Sequence, residues 1–204
     1  MNRRIGILAS LLTFVCVLLF ALFMLINMST AAYTVCIVLA WGYIMMASVF
    51  VVYAKKGSEA SKYIGQSFAI IYGVFVMLVY YAQITTLVQT ELTNQALELI
   101  DYKKFGLFFS YDLFGYAMLS ISTFFIGLTI SVNDKEDKLL KKLLLIHGMF
   151  SIVCIIPMLG VFTLNMVGGE MIGIIVLEVW CLYFLPICYL SYRYFKKQET
   201  PSEN

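Results

Sequence analysis

Six stretches of this chain run for at least 20 residues with almost no charge: 5–28, 31–54, 64–90, 105–132, 143–167 and 171–192. A helix rises about 1.5 Å per residue, so roughly 20 residues cross a hydrocarbon core of about 30 Å. Inside lipid the backbone must satisfy its own hydrogen bonds, which leaves helices or closed barrels as spanning structures. Barrel strands would alternate apolar and polar residues, and these runs do not. The reading is an all-α polytopic membrane protein: six transmembrane helices in a single helical bundle over residues 1–197. Composition supports it. Of 204 residues 62% are hydrophobic and 13% charged, whereas soluble domains are about half apolar and a quarter charged. The polar residues 198–204 read as a disordered tail.

The first run follows Arg3 and Arg4 but is too long for a signal-peptide core, and no small-residue cleavage site follows it. It reads as an uncleaved first span. Twelve of the fourteen basic residues fall on one side of the alternation, at positions 3–4, 55–62, 135–142 and 193–197; only Lys103 and Lys104 fall on the other. Positively charged loops stay in the cytoplasm, so both termini are expected there, in a cell membrane. Tyr33, Tyr80, Tyr81, Tyr102 and Tyr111 gather near the outer span ends and Tyr53, Tyr63, Tyr189, Tyr192 and Tyr194 near the inner ends, as interfacial belts do.

The longest connection, TELTNQALELIDYKKFG at 90–106, spaces Leu92, Ala96, Leu99 and Ile100 helically against Glu91, Glu98 and Asp101. It reads equally as a short amphipathic surface helix or as a continuation of a neighbouring span. Division into three spans, a loop and three spans has the arithmetic of an inverted repeat, without residue-level similarity between the halves.

Polar residues within the spans are few. At about 1.5 Å per residue, Asp112 and Gln83 stand roughly 30 Å from the cytoplasmic anchors and Glu178 about 22 Å. Two roles are open to Asp112: a carboxylate near a helix N-terminus, favoured by the dipole, or a member of an outward-facing polar pocket with Tyr116, Tyr80, Gln83, Asn165 and, below them, Glu178. A carboxylate at the depth of Glu178 costs a few kcal/mol unless paired, protonated or hydrated. Trp41, Ser120, Ser122 and the backbone freed by Pro157 are its expected partners, with helix-to-helix glue favoured over proton handling. His147, the only histidine, lies near the inner interface and reads first as a packing residue.

Catalytic and metal-binding motifs fail. The sequence holds no GxSxG, HExxH or phosphate loop. Tyr111-Asp112 lacks the GxGD partner of an intramembrane aspartyl protease. A single histidine excludes multi-histidine metal sites. Cys16, Cys36, Cys154, Cys181 and Cys188 all lie within spans as packing residues. No cofactor is expected, and no nucleophile and base pair up. The expected partners are the lipid bilayer and a second copy or another membrane protein, not nucleic acid.

YYAQ (80–83) in the third span, the glutamate- and leucine-containing loop, and DLFGYAMLS (112–120) in the fourth resemble a loose group of bacterial multi-pass membrane proteins of unknown function. The resemblance covers about residues 63–131. It implies an integral membrane protein, with Gln83, Asp112, Gly115 and Tyr116 as one packed unit, and assigns no role to any residue. The functional expectation is a non-catalytic membrane component: a sensor, an assembly factor or a partner subunit. The alternative is a small transporter or transporter subunit with an outward-facing pocket around Asp112 and Glu178.

Overall fold

The computed structural model describes residues 1–89, 91–104, 106–158 and 169–198. Asn165 and the tail from 199 onward lie outside them, as does the side chain of Pro157. The helices in chain order are α1 (Asn2–Leu25), α2 (Ser29–Val52), α3 (Glu59–Thr85), α4 (Asn94–Ile100), α5 (Leu107–Thr129), α6 (Lys135–His147), α7 (Phe150–Met158) and α8 (Gly169–Lys197), with one 3₁₀ turn at Tyr102–Lys104. Six stretches are long and apolar enough to cross a membrane: α1, α2, α3, α5, the α6–α7 pair over Lys135–Ile156, and Ile175–Lys197 within α8. The fold is a helical bundle of membrane-spanning length.

The spans close into a ring. Each packs on the next in the order α1, α2, α3, α5, α6 and α8, and α8 returns to α1. Small residues set the close approaches. A Cβ on Gly65 of α3 would stand 2.9 Å from the Ile126 side chain and 3.2 Å from its backbone nitrogen. One on Gly115 of α5 would meet Val76 and Phe75, and one on Gly127 would meet Leu144 of α6 at 3.0 Å. Without a hydrophobic drive between helices in lipid, such contact supplies the dispersion energy of association. Hydroxyls that face the interior are satisfied locally: Ser10, Thr13 and Ser191 each donate to the carbonyl four residues earlier.

α6 and α7 form one span with a tightened turn between them. Gly148 and Met149 donate to Leu145 and Ile146, three residues back, and the Ser151 hydroxyl donates to the Gly148 carbonyl at 2.7 Å. The start of α6 is capped by Asp134, whose carboxylate accepts from the Asp137 amide at 2.9 Å. Basic side chains from the end of α8 close this corner: Lys197 pairs with Asp134, Glu136 and Asp137, and Arg193 pairs with Glu136 at 3.2 Å. The bundle therefore has a terminal end, carrying these ion pairs, and a loop end, carrying α4.

Candidate functional site

At the loop end, 90–106 contains a helix of its own. Thr93 caps α4 by accepting from the Ala96 amide. Gln83, at the last turns of α3, holds the chain beyond α4: its amide nitrogen donates to the Ile100 carbonyl at 2.7 Å, and its amide oxygen accepts from the Tyr102 amide at 3.1 Å. Both ends of the side chain are used on backbone. Gln83 is thus a clamp for the connecting segment rather than the wall of an open pocket.

Directly beneath lies Asp112. It is 1% exposed, and the Tyr80 hydroxyl donates to its Oδ2 at 3.3 Å. Its Oδ1 is buried with no hydrogen-bond partner among the described residues, and so are the hydroxyls of Tyr72 and Tyr116. Tyr33 stacks on Tyr80 with ring centroids 5.3 Å apart, and Tyr102 leans over both. The Cys36 thiol stands within side-chain reach of the Tyr80 and Tyr116 hydroxyls. The loop-end tyrosines therefore divide: Tyr81 points away from the bundle at 62% exposed while Tyr80, its neighbour, is sealed at 1%. One residue turns a helix by about 100°, enough to exchange lipid for interior.

Below Asp112 five rings close on one another across the bundle. Tyr43 meets Tyr72 edge-on at 5.5 Å, Tyr72 meets Tyr116 at 5.9 Å, and Tyr116 meets Trp180 at 5.1 Å. Trp180 stacks on Phe184 at 5.0 Å, and Phe184 returns to Tyr43 at 6.2 Å. All five side chains are buried, and they come from α2, α3, α5 and α8. Two polar nodes tie this layer from below. Tyr43 donates to the Ser122 hydroxyl at 2.8 Å, which donates to the Gly65 carbonyl at 2.7 Å, joining α2, α5 and α3. The Trp180 indole donates to His147 Nε2 at 3.0 Å, and His147 Nδ1 lies 2.8 Å from the Thr123 hydroxyl. Indole can only donate, so Nε2 accepts; the ring is then the Nδ1–H tautomer, donating to Thr123, whose hydroxyl donates to the Ser120 carbonyl. His147 is thus a fully used link between α6, α8 and α5.

Glu178 stands apart. It is half-buried on α8, its Oε1 has no hydrogen-bond partner among the described residues, and Cys181, one turn on, lies within its electrostatic reach. The expected partners are engaged elsewhere: Trp41 faces outward and donates to the Met77 sulfur at 3.0 Å, Ser120 donates to the Tyr116 carbonyl, and Ser122 is held by Tyr43 and Gly65. Of the residues singled out from sequence, the structure brings Asp112, Tyr80 and Tyr116 together, gives Gln83 a separate task above them, and joins Glu178 to none of them. Tyr72 and Cys36 were not singled out. Tyr72 carried a signal, lying two helical turns before Tyr80 on the same face. Among the described residues no group of three or more His, Cys, Asp or Glu side chains is placed to hold a metal.

Neither family models, nor curated proteins, nor solved structures yield a match to this chain. The resemblance built on YYAQ and DLFGYAMLS therefore reduces to its coarse content, a multi-pass helical membrane protein, and its bacterial origin has no support.

Proposed function

We propose that this integral membrane protein is a non-catalytic component of a cell membrane, a sensor, an assembly factor or a partner subunit, with both termini in the cytoplasm. The observation that carries the reading is the ring of Tyr43, Tyr72, Tyr116, Trp180 and Phe184. Five buried rings from four helices pack in a closed cycle inside the bundle, where a hydrophilic route would need polar lining. The polar groups beneath them are consumed in joining helices. The partner half of the reading draws on Glu178: a carboxylate within a span, with an oxygen unbonded among the described residues, is where a neighbouring membrane protein or second copy would supply a donor. The orientation draws on the twelve basic residues of the terminal end.

A small transporter is the second reading. It is favoured by the oxygens of Asp112, Tyr72 and Tyr116 that stay unpartnered among the described residues on the loop side of the ring. The native cysteines separate the two. Cys36 lies at the Asp112 cluster and Cys188 is buried deeper in α8. A charged, membrane-impermeant thiol reagent applied to each face of sealed vesicles should leave both unmodified. Modification of Cys36 from one face and of Cys188 from the other would reveal alternating aqueous access, and the component reading would fall.

A further inference from the structure

Between the Gln83 clamp and the aromatic ring lies a layer that buries a carboxyl group. Asp112 is 1% exposed, and its carboxyl has hydroxyl neighbours but no basic partner among the described residues. An ionised carboxylate buried without a counter-charge costs several kcal/mol. Three buried oxygens there, Asp112 Oδ1 and the Tyr72 and Tyr116 hydroxyls, lack a well-formed hydrogen bond among the described residues, although the Tyr102 hydroxyl comes within reach of the Asp112 carboxyl and the Cys36 thiol within reach of Tyr116. Buried polar groups are nearly always paired, and three failures in one layer mark a place for something that pairs them.

We propose that this layer is a binding site for a single monovalent positive charge, a proton or an alkali cation, seated at Asp112 Oδ1 and taken up from the loop end. The chemistry fits one charge. A carboxylate neutralises it and phenolic oxygens ligate it. A divalent ion would require more carboxylates and six to eight oxygens, roughly, and the layer has one acid. The titratable groups facing Asp112 are Tyr33 and Cys36 from α2, Tyr72 and Tyr80 from α3, and Tyr102 from the turn after α4. Tyr116 faces it from α5 itself and Cys154 from α7. These are phenols and thiols, so Asp112 is the one carboxyl in the set. Gln83 holds the segment above, and release of its two backbone bonds would open the layer at that end.

The site stands whether the protein is a component or a transporter, and its test is independent of cysteine access. Thermal unfolding of the lipid-embedded protein is followed in sodium, potassium or lithium chloride against N-methylglucamine chloride at constant ionic strength, at several pH values, for wild type, Asp112→Asn and Tyr116→Phe. A ligand that binds only the folded state raises the midpoint saturably. A saturable rise with one alkali cation, lost in Asp112→Asn and displaced to higher concentration in Tyr116→Phe, assigns an alkali cation. A rise with falling pH that ignores the cations and is lost in Asp112→Asn assigns a proton. Parallel behaviour of wild type and Asp112→Asn in every condition overturns the site. Should Asp112→Asn not fold, infrared difference spectra of wild type decide. A carboxyl band that responds to pH or cation sustains the proposal, and one that responds to neither overturns it.

Discussion

Ser122 shows how one hydroxyl holds three helices. It accepts from Tyr43 of α2 and donates to the Gly65 carbonyl of α3, and the same glycine lets Ile126 of α5 come close. Interhelical hydrogen bonds within membranes average about 0.6 kcal/mol, so Ser122→Ala should destabilise the bundle by about 1 kcal/mol, since both of its bonds go. Gly65→Ala should cost more, about 1–3 kcal/mol, because its Cβ would press on backbone that cannot rotate away. Unfolding in mixed micelles measures both. A Gly65→Ala protein as stable as wild type would mean that α3 and α5 are not held at this distance. At the other node, Trp180→Phe keeps an aromatic ring in the five-ring layer but removes the donor to His147 Nε2. The expected result is a loss of about 1–2 kcal/mol, with Thr123→Val, which removes the other partner, non-additive with it because both act through one imidazole.

Among the elements, what was legible in sequence was whatever length alone decides. Apolar runs of span length forecast helices of span length, because lipid leaves the backbone few alternatives. Rotation about each helix axis was not legible. When nearly every residue is apolar, no polar face reports which side turns inward, so Tyr80 and Tyr81 read alike and lie on opposite sides. Pairings across helices were hidden for the same reason: His147 meets Thr123 and Trp180, 24 and 33 residues away in sequence. Asp112 was recognisable as a costly charge; its tyrosine shell was only half visible, through Tyr80 and Tyr116. The 90–106 connection was ambiguous because a seven-residue helix needs its cap and clamp to exist. Gln83→Ala should therefore loosen that segment selectively, raising amide hydrogen exchange across 94–104 while the spans keep their protection. At the terminal end, the Lys197 hydrogen bond, aided by the Asp137 amide, holds the Asp134 carboxyl below its usual range. A carboxyl depressed in the folded state contributes stability above its unfolded pKa of about 3.9 and loses it as the pH falls through the lower folded value. Protection at the start of α6 should accordingly persist at neutral pH and fall only in strongly acidic buffer. Lys197→Met should weaken that acid step and move it toward higher pH, since the Asp137 amide still holds the carboxylate; an unchanged step would assign it to another group.

For the whole molecule, the helix ring and the charge pattern both put the two termini at one end, and the proposed orientation builds on that. The ring of spans returns α8 to α1, so the start of α1 and the end of α8 share an end, as the approach of Gly6 to Phe195 records. That end also collects the basic residues at 3–4, 55–62, 135–142 and 193–197, while Lys103 and Lys104 stand at the other beside Glu91, Glu98 and Asp101. Only helices that alternate in direction place all four basic groups together, so topology and charge support each other. The five native cysteines are buried, which makes introduced ones readable against a quiet background. Glu98→Cys on exposed α4 should react with an impermeant maleimide on intact cells. Lys56→Cys, in the exposed turn between α2 and α3, should react only after the membrane is opened. The reverse pattern would invert the molecule and place the Asp112 layer near the cytoplasm. Labelling of both from outside would deny the alternation itself, and with it the closed ring on which the sealed layer depends.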